Sequence, residues 1–128
     1  LVFVCAPSHP LANRAQVDIA DLIAEELIGF PTGWGIRRSV DTAFATVGAQ
    51  PRPTYEVADY AIAAEFIRHR LATAALPLSA AGRFPDLRAI ALNPPLTWTL
   101  SIASASPQYI SRAASVLADA LVDHVADQ

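Results

Sequence analysis

The stretch Phe30-Pro31-Thr32-Gly33-Trp34-Gly35-Ile36-Arg37-Arg38-Ser39 collects groups suited to holding a small anion. An apolar run, Leu27-Ile28-Gly29-Phe30, stops at a proline, and a helical pattern opens five residues later. A helix N-terminus carries unpaired N–H donors and a partial positive charge. Gly33 and Gly35 permit close approach to the backbone, Thr32 offers a hydroxyl, and Arg37 and Arg38 add charge. Together these suit a carboxylate or a similar small anion. The plainer alternative is a simple turn, with Trp34 covering the core and both arginines solvated. A dinucleotide fingerprint is rejected, because the third glycine is missing.

Other chemistry is poorly provided for. His9, His69 and His124 are scattered, and none has metal-ligand spacing with another His, Cys or Glu. Glu25 and Glu26 adjoin at a helix end and read as a solvated pair. No Gly-x-Ser-x-Gly elbow occurs. All nine positive side chains are arginine, so a phosphate-loop lysine, a Schiff base and an amine base are excluded. The single cysteine, Cys5, lies in the apolar run Leu1–Ala6 and reads as a small buried hydrophobe. The expectation is therefore no catalytic residue, no metal and no cofactor.

The elements that must position the loop follow from the patterning. Residues 1–6 read as a buried strand, and Asp18 caps a short helix. Leu27–Phe30 is a second strand, and Gly35–Gly48 a helix with Ile36, Val40, Ala43, Phe44 and Val47 on one face. Thr54–Val57 is a third strand. Asp59 caps a helix over 60–70, and Leu71–Pro77 is a fourth strand. A turn around Gly82 and Pro85 leads to a fifth strand over 87–92. Residues 97–104 alternate as a sixth, and Pro107 sits near the start of a last helix that runs from about Ser111 to about Val125. Alternating strands and helices predict an open, mostly parallel α/β sheet with helices on both faces. Ligands of such sheets bind outside the carboxyl ends of the strands. The loops at 31–34, 57–60 and 76–79 should then rise side by side from one rim.

With 128 residues, 53% of them hydrophobic, the chain suits one domain and cannot be a disordered tail. A net charge of −3 gives no basic face for nucleic acid. No apolar stretch reaches the roughly 18 residues of a membrane span. The chain opens on leucine and contains no methionine, so it reads as part of a longer protein.

In order and spacing, several segments resemble the effector-binding region of LysR-type transcriptional regulators. They are Leu1–Ala12 with its His9-Pro10-Leu11-Ala12, Asp21–Phe30, Arg37–Val57 and Phe66–Pro77, followed by a strand and a long helix. The resemblance implies half of a two-subdomain effector domain, similar to type 2 periplasmic binding proteins. Residues 1–104 would be the second subdomain with two crossover strands (1–6 and 97–104). Residues 105–128 would be a C-terminal helix that packs on the first subdomain. A small, acidic effector would bind between subdomains, and DNA would be bound only through an N-terminal helix-turn-helix absent here. A cytoplasmic location and a homo-oligomer are implied, a dimer of this piece and a tetramer of the whole. Carried over by position, Pro31, Thr32, Gly33, Trp34, Ala58, Asp59 and Pro77 line the cleft, with Arg37 attracting the acid. His9 is read as a structural corner rather than a ligand. The family's Gly-x-Gly before the late strand is replaced by Arg70 and Ala72, so the helix ends differently or the turn is rebuilt. The apolar stripe Ile110, Ala114, Leu117, Leu121, Val125 should find another apolar surface, such as a second copy. A solute-binding module of the same fold and a small α/β enzyme remain the alternatives.

Overall fold

The computed structural model describes residues 1–103 and 110–126. They fall into two units, Leu1–Trp98 and the stretch from Thr99 onward.

In the first unit, short apolar runs flanked by proline, glycine and capping residues become strands β1 (Val2–Cys5), β2 (Gln16–Asp18), β3 (Ile28–Gly29), β4 (Tyr55–Glu56), β5 (Ala74–Leu76) and β6 (Arg88–Asn93). A 3-10 helix covers Ile19–Ala24, and the α-helices are α1 (Gly35–Thr46), α2 (Tyr60–Arg68) and α3 (Leu78–Ala81). One ladder runs β2-β6-β1-β5 and a second pairs β3 with β4. A parallel bridge, Leu27 to Thr73, joins them. Hydrogen bonds from Ile28 N to Thr73 O (2.8 Å) and from Thr73 N to Glu26 O (2.8 Å) secure the join. The resulting order is β2-β6-β1-β5-β3-β4. β1 is antiparallel to both β5 and β6, while β2–β6 and β3–β4 are parallel. The expected open, mostly parallel sheet is therefore present, mixed only through β1.

Helices cover both faces, and alternation along β1 divides the core. Phe3 and Cys5 point to one side, with Val17, Ile19, Leu22, Phe44 and Ile90. Val4 points to the other, with Ile36, Ala63, Ile67, Leu76 and Phe84. Strands buried on both faces must be apolar throughout, which is why β5 is Ala74-Ala75-Leu76.

Two segments escaped the sequence reading. β2 is too short to show alternation, and Leu78–Ala81, read as the approach to a turn, forms a single helical turn ended by Gly82. The proposed sixth strand is corrected: residues 97–103 carry no strand pairing. Alternation alone does not make a strand, because its backbone groups need a neighbouring ladder. Trp98 instead packs on Gly35, its ring carbons 3.4 and 3.7 Å from where a Cβ would stand. In the second unit, α4 spans Arg112–Ala126. Pro107 lies outside the described residues, and so does the side chain of Val125. Leu117, Leu121 and Ile110 of the expected stripe are exposed.

The ends of α1 and α2 are built alike. In α1, Ala49 N donates to Phe44 O (3.0 Å) and Gly48 N to Ala45 O (3.1 Å), with Gly48 at φ 69°. In α2, Leu71 N donates to Phe66 O (3.0 Å) and Arg70 N to Ile67 O (2.9 Å), with Arg70 at φ 58°. Both are Schellman caps, whose left-handed residue is ordinarily glycine. Neither expectation for Arg70 holds: the turn keeps its shape, and an arginine occupies the strained position. The left-handed conformation costs a residue bearing a Cβ about 1–2 kcal/mol, and glycine's extra freedom when unfolded returns about 0.4–1 kcal/mol of that. Arg70→Gly should therefore stabilise the chain by about 1 kcal/mol in urea unfolding. Gly29→Ala should do the opposite. Its Cβ would lie 2.7 and 2.8 Å from Pro53 Cβ and Cγ, and overpacking of this kind costs about 1–3 kcal/mol by the same measurement.

Candidate functional site

β5, β3 and β4 lie side by side and run the same way, so the chain leaves their carboxyl ends along one rim. After β3, Phe30 is buried, and Pro31 cannot continue the ladder because it has no N–H. Trp34 N donates to Pro31 O (3.1 Å), closing a turn whose Gly33 sits at φ 96°. That angle is the reason for glycine here. Helix α1 starts at once. Its N-cap is Trp34, which provides no capping side chain, and no acidic residue stands in the first turn. Arg38 N reaches back to Trp34 O (3.1 Å), leaving the N–H groups of Gly35, Ile36 and Arg37 without intrahelical acceptors.

After β4, Val57 N donates to Gly29 O (3.1 Å), which ties the second loop to the first. Asp59 caps α2, its Oδ1 accepting from Ala61 N (2.6 Å) and Ile62 N (3.2 Å). Aromatic packing joins the two loops. Phe30 stacks on Trp34 with centroids 6.1 Å apart and planes at 11°, and meets Tyr60 edge-on at 5.3 Å and 74°. Burial pushes the Tyr60 hydroxyl's pKa up.

Pro31, Thr32, Gly33 and Trp34 thus share the rim with Ala58 and Asp59. Pro77 ends the adjacent strand but is buried, and its carbonyl accepts from Ala80 N (3.0 Å) and Ala81 N (2.9 Å). The exposed residue at that point is Leu78. Arg37 is occupied within the chain. Its Nε donates to both oxygens of Asp41 (2.9 and 3.1 Å), and an Nη lies 3.4 Å from Phe30 O and 3.7 Å from a Glu56 oxygen. The i,i+4 spacing of Arg37 and Asp41 on α1 produces that pairing. Of the two arginines in the first turn of α1, Arg38 is the one left exposed and without an ion pair. Phe30, Tyr60 and Trp98 were missed as site residues. Their signal is position: an aromatic at a strand end, one beside a helix cap, and one where the chain leaves β6.

Behind the β3–α1 loop lies an apolar cavity of about 20 Å³, lined by Leu27, Phe30, Arg37, Phe44, Pro53 and Leu96 among others. It could take little more than one water, so it is too small to enclose a metabolite.

His9 serves as a corner, as its Pro10 neighbour suggested. Its Nδ1 accepts from Leu11 N (3.2 Å), so Nε2 carries the proton shared with Glu25 (3.0 Å). Its ring packs edge-on against Phe3 at 5.8 Å. Among the described residues, no group of His, Cys, Asp or Glu is placed to hold a metal. No helix among them is long and apolar enough to cross a membrane. Cys5 is fully buried, and burial, reinforced by the negative charge of Glu25, pushes its thiol pKa up to about 11.

Two outcomes follow. At pH 8 the Cys5 thiol should stay unreactive toward a chromogenic disulfide in the folded chain and react fully once denaturant unfolds it, as absorbance will report. Asp59→Ala should lower stability by about 1 kcal/mol through loss of the cap, while Asp59→Asn, which keeps an acceptor oxygen, stays within a few tenths of the parent in urea unfolding.

Comparison with known proteins gives consistent matches. A family model described as the LysR substrate binding domain matches residues 1–126. The HTH-type transcriptional regulator YybE of Bacillus subtilis is 31% identical over 77 residues, which are 59% of this chain and 26% of that protein. The effector-binding domain of QuiR, solved in complex with shikimate, superposes with a TM-score of 0.77 at 26% identity, covering 92% of this chain and 57% of that one. The regulatory domain of CcmR from Synechocystis PCC6803, solved with 2-PG, has a TM-score of 0.71 at 18% identity, covering 94% and 60%. This chain thus spans about a quarter of YybE and little more than half of either solved domain.

Proposed function

The chain belongs to the LysR substrate-binding domain family, and from that membership we propose that it is the effector-sensing part of a LysR-type transcriptional regulator. It supplies one wall of a cleft for a small acidic metabolite. The observation that carries this reading is the rim itself, where two loops locked together by Phe30 present an uncapped helix N-terminus beside Trp34. A structural relative, the QuiR domain, holds shikimate.

The chemistry required is binding. The N–H groups at the start of α1 and the local helix dipole favour a carboxylate. Arg38 contributes an unpaired charge in the same turn. Thr32 and the backbone around Gly33 are open to a ligand, as nothing lies within 4 Å of where a Gly33 Cβ would stand. Ala58 and the second oxygen of Asp59 border the site, whereas Pro77, buried under α3, is left out of it. Arg37 has a different part from the one its sequence position suggested. It pins the loop through Asp41 and Glu56 and leaves anion attraction to Arg38. None of these residues forms a nucleophile–base pair, so the reading assigns no catalysis.

In the same proposal, the facing wall and a DNA-binding helix-turn-helix come from other parts of a cytoplasmic regulator. Residues 1–98 form the second subdomain, and the C-terminal helix, residues 112–126 here, packs on the first. The full protein is a homo-oligomer.

The test is thermal unfolding of the full-length protein against a panel of small carboxylic acids. A true effector at 100 times its dissociation constant should add about 2.7 kcal/mol of stability. Arg38→Ala should weaken its binding several-fold, whereas Arg37→Ala should lower stability even without ligand. Absence of any stabilising acid would refute the reading.

A further inference from the structure

The rim carries a feature that anion binding does not use: an ordered, partly exposed aromatic surface. Trp34 is 39% exposed at the loop tip. Its ring does not hang free, because it lies nearly parallel to Phe30 (11°, 6.1 Å), and Phe30 is fixed in turn by the edge of Tyr60 (5.3 Å). Among the described residues no further ring stacks on Trp34. The residues on either side of it are glycines. Gly33 borders open space, and Gly35 is covered by Trp98. An indole held in one orientation, with one side backed by Phe30 and open space beside it at Gly33, is a stacking platform. If it merely covered the core it would be buried, as Phe44 of the same helix is.

Resting on the effector-sensing reading, we infer that Trp34 is a specificity-determining residue and that the effector carries a planar ring, which stacks on the indole while its acid group meets the start of α1. Offset stacking between flat rings adds about two- to tenfold in affinity beyond the area it buries. A saturated ring or an open chain of equal size buries similar area without that gain, and an open chain also loses rotamer freedom on binding. The pre-ordering of Trp34 by Phe30 removes most of the cost of fixing the platform. The acid sets where the ligand binds, and the ring sets which acid is chosen.

The chain's tryptophans, Trp34 and Trp98, both lie against Gly35 or next to it, so ligand binding at the rim is readable from intrinsic fluorescence. The experiment titrates the full-length protein with benzoate and its simple derivatives, and with the corresponding cyclohexanecarboxylates. Thermal shift serves as the second readout. Planar acids should bind at least threefold tighter than their saturated partners and quench the indole emission. Trp34→Phe should keep the preference, and Trp34→Ala should erase it by weakening the planar acids more than the saturated ones. Should Trp34→Ala fail to fold, Trp34→Leu provides apolar cover without a flat ring and should behave the same way. Equal affinity for both series, or a preference that survives both Trp34→Ala and Trp34→Leu, overturns the stacking assignment and leaves effector sensing intact. The same holds if only open-chain acids bind. If no small acid of any kind binds, both readings fail together.

Discussion

The side chain and carbonyl of Phe30 hold the rim together. Phe30 is the first residue after β3, it is buried, and it touches both loops that matter. The ring is sandwiched between the plane of Trp34 and the edge of Tyr60. The carbonyl lies within reach of Arg37, which is itself anchored by Asp41 on α1 and faces Glu56 at the end of β4. One residue therefore ties the end of β3, the start of α1, the end of β4 and the start of α2 into a single unit. Geometry of this kind matters for recognition because a loop ordered before binding does not have to be ordered by the ligand.

The same network decides which charges are available. A guanidinium that already holds a carboxylate in two hydrogen bonds would have to give those up to greet a ligand, and leaving a partner unsatisfied is expensive. Arg37 is in that position. The Asp59 oxygen that caps α2 is likewise committed to two backbone N–H groups. The groups with nothing to lose are the first N–H donors of α1 and the guanidinium of Arg38. In the proposed reading, binding at this rim therefore falls to residues that stability has not already engaged.

That distinction also marks how far the sequence could be read. Strands β1, β3, β5 and β6 were legible because apolar runs ended at Pro7, Pro31, Pro77 and Pro94, β4 because it follows the loop at Pro51 and Pro53, and the helices because Asp18 and Asp59 cap them and Gly48 stops one. The convergence of the β3 and β4 loops was legible too, since it follows from parallel neighbours. Pairing partners were not. Nothing local announces that Arg37 will turn to Asp41 and Glu56, that Pro77 will be roofed by the short helix after it, or that Phe30 will sit between two rings. Residues 97–103 show the limit from the other side: they alternate as a strand should, but alternation describes two faces and says nothing about whether a neighbouring edge is on offer. Arg70 shows a third kind of limit. A sequence reveals that glycine is missing from a cap, but whether the backbone moves or the side chain endures the strain depends on how firmly the cap is held.

At Arg70 the cap is held firmly, and the reason bears on sensing. The residues after it, Leu71 to Leu76, lead into β5, which lies between β1 and the β3 end of the second ladder. Thr73 bonds Glu26 and Ile28 on both sides of the bridge that unites the two ladders. Relaxing the turn at Arg70 would shift that bridge, and with it the register of β3 and the position of Phe30. The cost of keeping arginine in a left-handed conformation is about 1–2 kcal/mol, comparable to a hydrogen bond or two. The bridge and the strand behind it outweigh that cost, so the strain is tolerated far from the rim and the rim keeps its shape. A sensor needs such stiffness in one wall, because a ligand can shift a conformational balance only by the difference in its contacts with the two states. A wall that yielded to the ligand would erase that difference, whereas one that holds still passes it to whatever closes over the other side.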